Sequence, residues 1–229
     1  MSPNPLIVAA DVSDVDAAGE LARRLSGVVS HVKVGLELFV SAGPPAVERL
    51  REHAPVFLDL KLHDIPNTVG RAARAAARLG PAMISVHALG GMAMVRAAVE
   101  GAAEGADERG LPPPDVVAVT VLSSLAGEGL ASPASLAFEA ISAGAGGAVV
   151  SGEDVKVVRE AVGEAPVVVV PGIRPKGQPN GDQVRVLTPV EALEAGADYL
   201  VVGRPIVQAP DPVAAARSIL SDLGVAEGA

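Results

Sequence analysis

The chain contains no cysteine and no tryptophan, and only one tyrosine and three phenylalanines. Without thiols, disulfides, cysteine nucleophiles and thiolate-bound zinc are all excluded. With aromatics at 2% of residues, the core has to be built from Val, Leu, Ile and Ala, which suits buried parallel strands under close-packed helices. No run approaches the roughly 20 apolar residues of a membrane span. The start, Met1-Ser2-Pro3-Asn4 and then Leu6-Ile7-Val8-Ala9-Ala10, has no basic region and too short an apolar run for a signal peptide. A soluble, cytoplasmic protein is expected. Positive charge is also scarce. A net charge of −9 argues against a nucleic-acid surface, and of the 18 basic residues only Lys33, Lys61, Lys156 and Lys176 are lysine.

What is present is a regular alternation. Short apolar runs recur at 6–10, 31–35, 56–61, 83–87, 115–121, 147–151, 166–171 and 198–203, and each predicts a strand. Ala-rich stretches of helical period lie between and after them, near 15–26, 38–52, 67–79, 91–109, 132–143, 153–162, 189–196 and 211–222. Ser13-Asp14 and Thr188-Pro189 mark helix starts, and Gly27, Gly80, Gly110, Gly144 and Gly163 mark helix ends. Eight alternations over 229 residues predict a single-domain (β/α)8 barrel of the TIM type spanning residues 1–229. A doubly wound open sheet is the alternative. It is weakened because no GxGxxG fingerprint follows the first strand.

Against this apolar background the third strand stands out. It reads Phe57-Leu58-Asp59-Leu60-Lys61-Leu62-His63-Asp64-Ile65-Pro66-Asn67-Thr68-Val69. Asp59 and Lys61 are two apart, so their side chains leave the same face of the strand. An isolated buried charge costs several kcal/mol, so core strands normally exclude such residues. Lysine at 33 and 61, in a chain that otherwise prefers arginine, points to a compact ammonium whose pKa can be tuned.

Barrel enzymes carry their sites at the C-terminal ends of the strands. Those ends read Asp11, Lys33, Asp59 with Lys61, His87, Ser123, Ser151, Pro171 to Arg174, and Gly203-Arg204. Taken singly, Asp11 or Ser151 could cap a helix and His87 could be an ordinary loop residue. Ionisable residues ending strands one, two and three together favour chemistry. Phosphate sites in such barrels form after strands seven and eight. There, Gly203 would let backbone N–H groups approach an anion, and Arg204 would add a charge-assisted contact. The polar run from Pro175 to Arg185 predicts a lid, with Gln178 and Gln183 as candidates to grip a phosphate.

These residues together resemble the orotidine 5'-monophosphate decarboxylase family. The likeness rests on Lys33 ending strand two, on D-x-K-x-x-D at Asp59, Lys61 and Asp64, and on the continuation Ile65-Pro66-Asn67-Thr68-Val69. It also includes Val119-Thr120-Val121-Leu122-Ser123-Ser124, PGIR at 171–174, GDQ at 181–183 and VGRPI at 202–206. The resemblance implies decarboxylation of orotidine monophosphate to uridine monophosphate with neither cofactor nor metal. It implies that Lys61 donates the proton, that Asp59 lies beside the departing carboxylate, and that Lys33 and Asp64 complete an alternating charge network. It further implies that Asp11 and Lys33 bind ribose hydroxyls and Ser123 the pyrimidine edge, while Pro171, Arg174, Gln183, Gly203 and Arg204 form the phosphate end. Asp64, Ile65 and Thr68 would enter a neighbouring subunit's site, making the active unit a homodimer. Asp59 and Lys61 are expected to play opposite roles and need not form an ion pair.

The main rival on the same scaffold is a magnesium-dependent enzyme of the keto-gulonate-phosphate decarboxylase or hexulose-phosphate synthase type. Such enzymes also carry D-x-K-x-x-D but typically place an acidic metal ligand near the end of strand two, where this chain has Lys33. A catalytically silent nucleotide-binding barrel is the non-enzymatic reading. It is disfavoured because a pure binder has little reason to bear buried charge.

Overall fold

Each apolar run becomes one strand of a closed parallel barrel in the computed structural model, which describes residues 4–121, 131–175 and 187–225. The strands are Leu6–Ala9 (β1), His31–Val34 (β2), Val56–Leu62 (β3), Met83–His87 (β4), Asp115–Val119 (β5), Gly147–Val149 (β6), Val167–Pro171 (β7) and Tyr199–Val202 (β8). They pair in chain order, and β8 closes the ring against β1 through Leu6 with Leu200 and Val8 with Val202. The closed ring excludes the open-sheet alternative.

The helices are Val15–Arg24 (α1), Leu36–Ala42 (α2), Pro44–Arg51 (α3), Pro66–Ala77 (α4), Gly91–Asp107 (α5), Pro133–Ser142 (α6), Val155–Val162 (α7), Pro189–Glu194 (α8), Arg204–Val207 (α9) and Pro212–Asp222 (α10). Both predicted starts are real caps. Asp14 accepts from the Ala17 N–H at 2.7 Å, and Thr188 forms a capping box with Glu191. One expectation needs correction, and one helix is additional. The helix predicted over 38–52 is two helices, broken where Gly43 takes φ 65° and Pro44 begins the next one. The short α9 after β8 was not foreseen, because four residues are too few to show a period.

Two apolar layers follow from the period-2 alternation along the strands. Ile7, Ala9, Phe57, Met83, Val117, Val119, Val149, Val169 and Val201 fill the barrel interior. Leu6, Val8, Val32, Val34, Val56, Leu58, Ile84 and Val86 face outward and join the helices in a second, larger core. Gly101 and Gly105 bring α5 against the backbone of α4, since a Cβ at either would overlap the carbonyl of Gly70 or Arg74. That contact fixes α4 just below the loop that carries Asp64 and Ile65. Among the described residues no helix is long and apolar enough to cross a membrane.

Candidate active site

The alternation that buries Ile7 and Phe57 also turns Lys33, Asp59 and Lys61 inward. On β2, Val32 and Val34 pack outward, so Lys33 points into the barrel; on β3, Leu58, Leu60 and Leu62 do the same for Asp59 and Lys61. Asp59 is 8% exposed and Lys33 9%. The Lys61 ammonium donates to Asp59 Oδ2 at 2.7 Å, and Lys33 Nζ stands 3.7 Å from the same oxygen. Lys33 also donates to Asp11 Oδ1 at 3.0 Å. The expectation that Asp59 and Lys61 need not pair is therefore corrected: they form a direct ion pair. One buried carboxylate between two ammoniums satisfies the rule that buried charges be paired. Burial alone would push the Asp59 carboxyl up. The charges of Lys33 and Lys61, with hydrogen bonds from Lys61 and Ser85, outweigh it and hold the group below the ordinary carboxylate value.

The backbone here is irregular. Leu58 pairs with Ile84 and Leu62 with Val86, so four residues of β3 span two steps of β4. Lys61 takes φ 51°, the one positive value for a non-glycine among the described residues. The Lys61 N–H donates to Ser85 Oγ at 2.8 Å, and that hydroxyl donates to Asp59 Oδ1 at 2.7 Å. Gly35 is also needed: a Cβ there would crowd Lys33 Nζ and Asp11 Oδ1.

Beside the charges lies a cavity of about 140 Å³ whose lining combines the polar Lys33, Asp59, Lys61 and Ser151 with the apolar Phe57, Val119, Val121, Val149 and Val201. It adjoins a wider mouth of about 480 Å³ bordered by Asp11, Lys33, Asp59, Pro171, Gly172, Arg174, Gly203, Arg204 and Gln208. Arg174 is 8% exposed, with its backbone N–H on the Leu187 carbonyl, whereas Arg204 is exposed at the rim. An apolar pocket ending in charges, continuous with a polar mouth bearing two guanidiniums, fits a flat ring attached to an anionic tail.

Residues 4–219 match the family model described as "Orotidine 5'-phosphate decarboxylase / HUMPS family". A protein of Anaeromyxobacter dehalogenans named orotidine 5'-phosphate decarboxylase is 52% identical, over 97% of this chain and 100% of its own length. One of that name from Moorella thermoacetica is 49% identical, over 95% of this chain and 91% of its own. The crystal structure of orotidine 5'-phosphate decarboxylase from Lactobacillus acidophilus superposes with a TM-score of 0.82 at 37% identity, covering 96% of this chain and 98% of that one. The chain belongs to this decarboxylase family.

Within the family frame, Asp11, Lys33, Asp59, Lys61, Pro171, Arg174, Gly203 and Arg204 converge on the two connected spaces. Asp64, Ile65 and Thr68 do not: Asp64 and Ile65 are exposed just before α4 and Thr68 in its first turn, and Asp64 accepts from the Ile65 N–H rather than pairing with Lys61. Ser123, Gln178 and Gln183 lie outside the described residues. His87, at the end of β4, is buried, with its ring 5.3 Å from that of His63 and its Nδ1 without a hydrogen-bond partner among the described residues. Burial, then the nearby His63 and Lys61, keep it below the ordinary histidine pKa. Two residues escaped the sequence reading. Gln208 carried no signal. Ser85 did carry one, since Met83 and His87 flank it at the inward positions of β4.

Proposed function

We propose that this site converts orotidine 5'-monophosphate to uridine 5'-monophosphate and CO2 without a cofactor, in pyrimidine nucleotide synthesis. The observation that carries the reading is a buried carboxylate, Asp59, between Lys33 at 3.7 Å and Lys61 at 2.7 Å at the floor of an apolar pocket. Relatives 49% and 52% identical bear the name of that activity. The magnesium-dependent alternative is not favoured, because Lys33 already supplies positive charge to Asp11 and Asp59.

The chemistry asked of these residues is electrostatic. Breaking the C6–carboxylate bond leaves an electron pair in the plane of the pyrimidine, with no carbonyl placed to receive it. Lys61 would stabilise that pair and transfer a proton from Nζ to C6, later regaining one from solvent. The substrate carboxylate would enter beside Asp59, where like charge favours its departure as neutral CO2. Asp11 and Lys33 would hold the ribose hydroxyls and Ser123 the pyrimidine edge. Gln183, Gly203 and Arg204, with Pro171 and Arg174 shaping the rim, would hold the phosphate. Phosphate contacts far from C6 can be spent on organising the charges.

The same proposal makes the working unit a cytoplasmic homodimer in which Asp64, Ile65 and Thr68 complete a neighbour's site. Support comes from exposed apolar side chains after three consecutive strands: Leu36 and Val40, Ile65, then Leu89 and Met92. Sedimentation should give twice the chain mass. Mixing inactive Lys61→Ala and Asp64→Ala proteins should restore about a quarter of wild-type activity, because half the dimers in a statistical mixture hold one intact site. The primary test is loss of the orotate ultraviolet band on incubation with orotidine monophosphate, with and without chelator. No turnover, or turnover that requires magnesium, would end the reading.

A further inference from the structure

We infer that Ser85 is the positioning residue that sets the Asp59–Lys61 pair, acting through one hydroxyl that binds both residues at once. The inference rests on the decarboxylase reading above and extends it to a residue outside the substrate cavity. Ser85 is fully buried and faces inward from β4, between Ile84 and Val86, which pair with Leu58 and Leu62. Residues 59 to 61 therefore lack a regular ladder partner on β4. The Ser85 hydroxyl stands in for it, accepting from the Lys61 N–H at 2.8 Å and donating to Asp59 Oδ1 at 2.7 Å. A hydroxyl is the smallest group that can do both, since it offers one donor and two acceptor lone pairs. Its proton occupies Oδ1 and leaves Oδ2 to the two ammoniums.

Geometry at Lys61 makes this contact consequential. A residue other than glycine at φ 51° is held in a sparsely populated conformation, which persists only where its surroundings enforce it. Without the hydroxyl, the Lys61 N–H would lose its acceptor inside the strand and the backbone would be free to relax towards a regular pleat. The ammonium would then move relative to the bound ring. Displacing a proton donor by even 1 Å lowers the rate while leaving remote binding contacts intact.

The test compares Ser85→Ala, Ser85→Cys and Ser85→Thr by steady-state kinetics on orotidine monophosphate, with uridine monophosphate affinity and thermal melting alongside. Ser85→Ala and Ser85→Cys should lower kcat by about 10- to 100-fold, the loss expected for one hydrogen bond to a charged group. KM and product affinity should stay within about twofold, because Ser85 touches neither cavity. Ser85→Thr, which keeps the hydroxyl, should recover most of kcat. The cysteine variant fills the space with a weak donor, so it separates a lost hydrogen bond from a cavity if the alanine variant folds poorly. Wild-type kcat in Ser85→Cys would overturn the assignment, as would a fall in product affinity as large as the fall in kcat. Absence of turnover in the unaltered enzyme would instead overturn the functional reading on which it rests.

Discussion

Strand β2 sends one basic side chain into each end of the barrel interior, and their surroundings differ. At the C-terminal end, Lys33 meets Asp11 at 3.0 Å and Asp59 at 3.7 Å. At the N-terminal end, His31 lies edge-on to Tyr199 with ring centroids 5.2 Å apart, and the Ser30 hydroxyl is 3.1 Å from its Nδ1. No carboxylate is among those contacts, and burial lowers its pKa to about 4. The two residues are equally hidden, each 9% exposed. Equal burial comes with different company: the ammonium at the mouth has two carboxylates, which is how a buried charge is tolerated, whereas the imidazole at the floor has an aromatic edge and a hydroxyl.

The largest effect should come from removing the ammonium at the charged end. Lys61→Ala is expected to bind uridine monophosphate normally while losing turnover by a factor on the order of 10⁴, as removal of a proton donor requires. Wild-type-like turnover would sink the proposed mechanism. Next is the carboxylate between the cations. Asp59→Ala leaves Lys33 and Lys61 facing each other and should cost about 3–5 kcal/mol in denaturant unfolding. A change within experimental error would mean that pairing contributes nothing at this end.

At the floor the comparison can be tested by pH. The folded-state pKa of His31 is about 4, below its ordinary 6.5, so the unfolded chain binds the extra proton first. Stability from the neutral ring is present above the unfolded value and is lost as pH falls towards 4. The loss should reach about 3 kcal/mol near pH 4. His31→Phe should flatten that part of the stability curve, and an unchanged slope would place the titration elsewhere. The smallest effect concerns the exposed rim: Arg204→Ala should raise KM about 10- to 100-fold with a smaller change in kcat. A normal KM would remove Arg204 from the phosphate site.

Much of this was legible because period-2 alternation survives even the irregular strand. Leu58, Leu60 and Leu62 pack outward, so Asp59 and Lys61 face inward as the two-residue spacing predicts. Strand and helix ends followed from caps at Asp14 and Thr188 and from glycines such as Gly163, whose φ is 77°. The direct Asp59–Lys61 bond was not legible, since it depends on the left-handed backbone at Lys61 and on how β3 registers against β4. Ser85 was missed for the same reason. Its inward orientation could be read from Met83 and His87, but its two partners could not.

By itself the sequence determined the barrel and the residue types at the C-terminal ends of its strands, because both depend on local period and composition. Only the tertiary structure decided which charges touch. Lys33, Asp59 and Ser85 come from three strands, and their distances are set by barrel closure and by the extra residues in β3. Electrostatic energy depends on those distances and on burial, neither of which one-dimensional spacing contains.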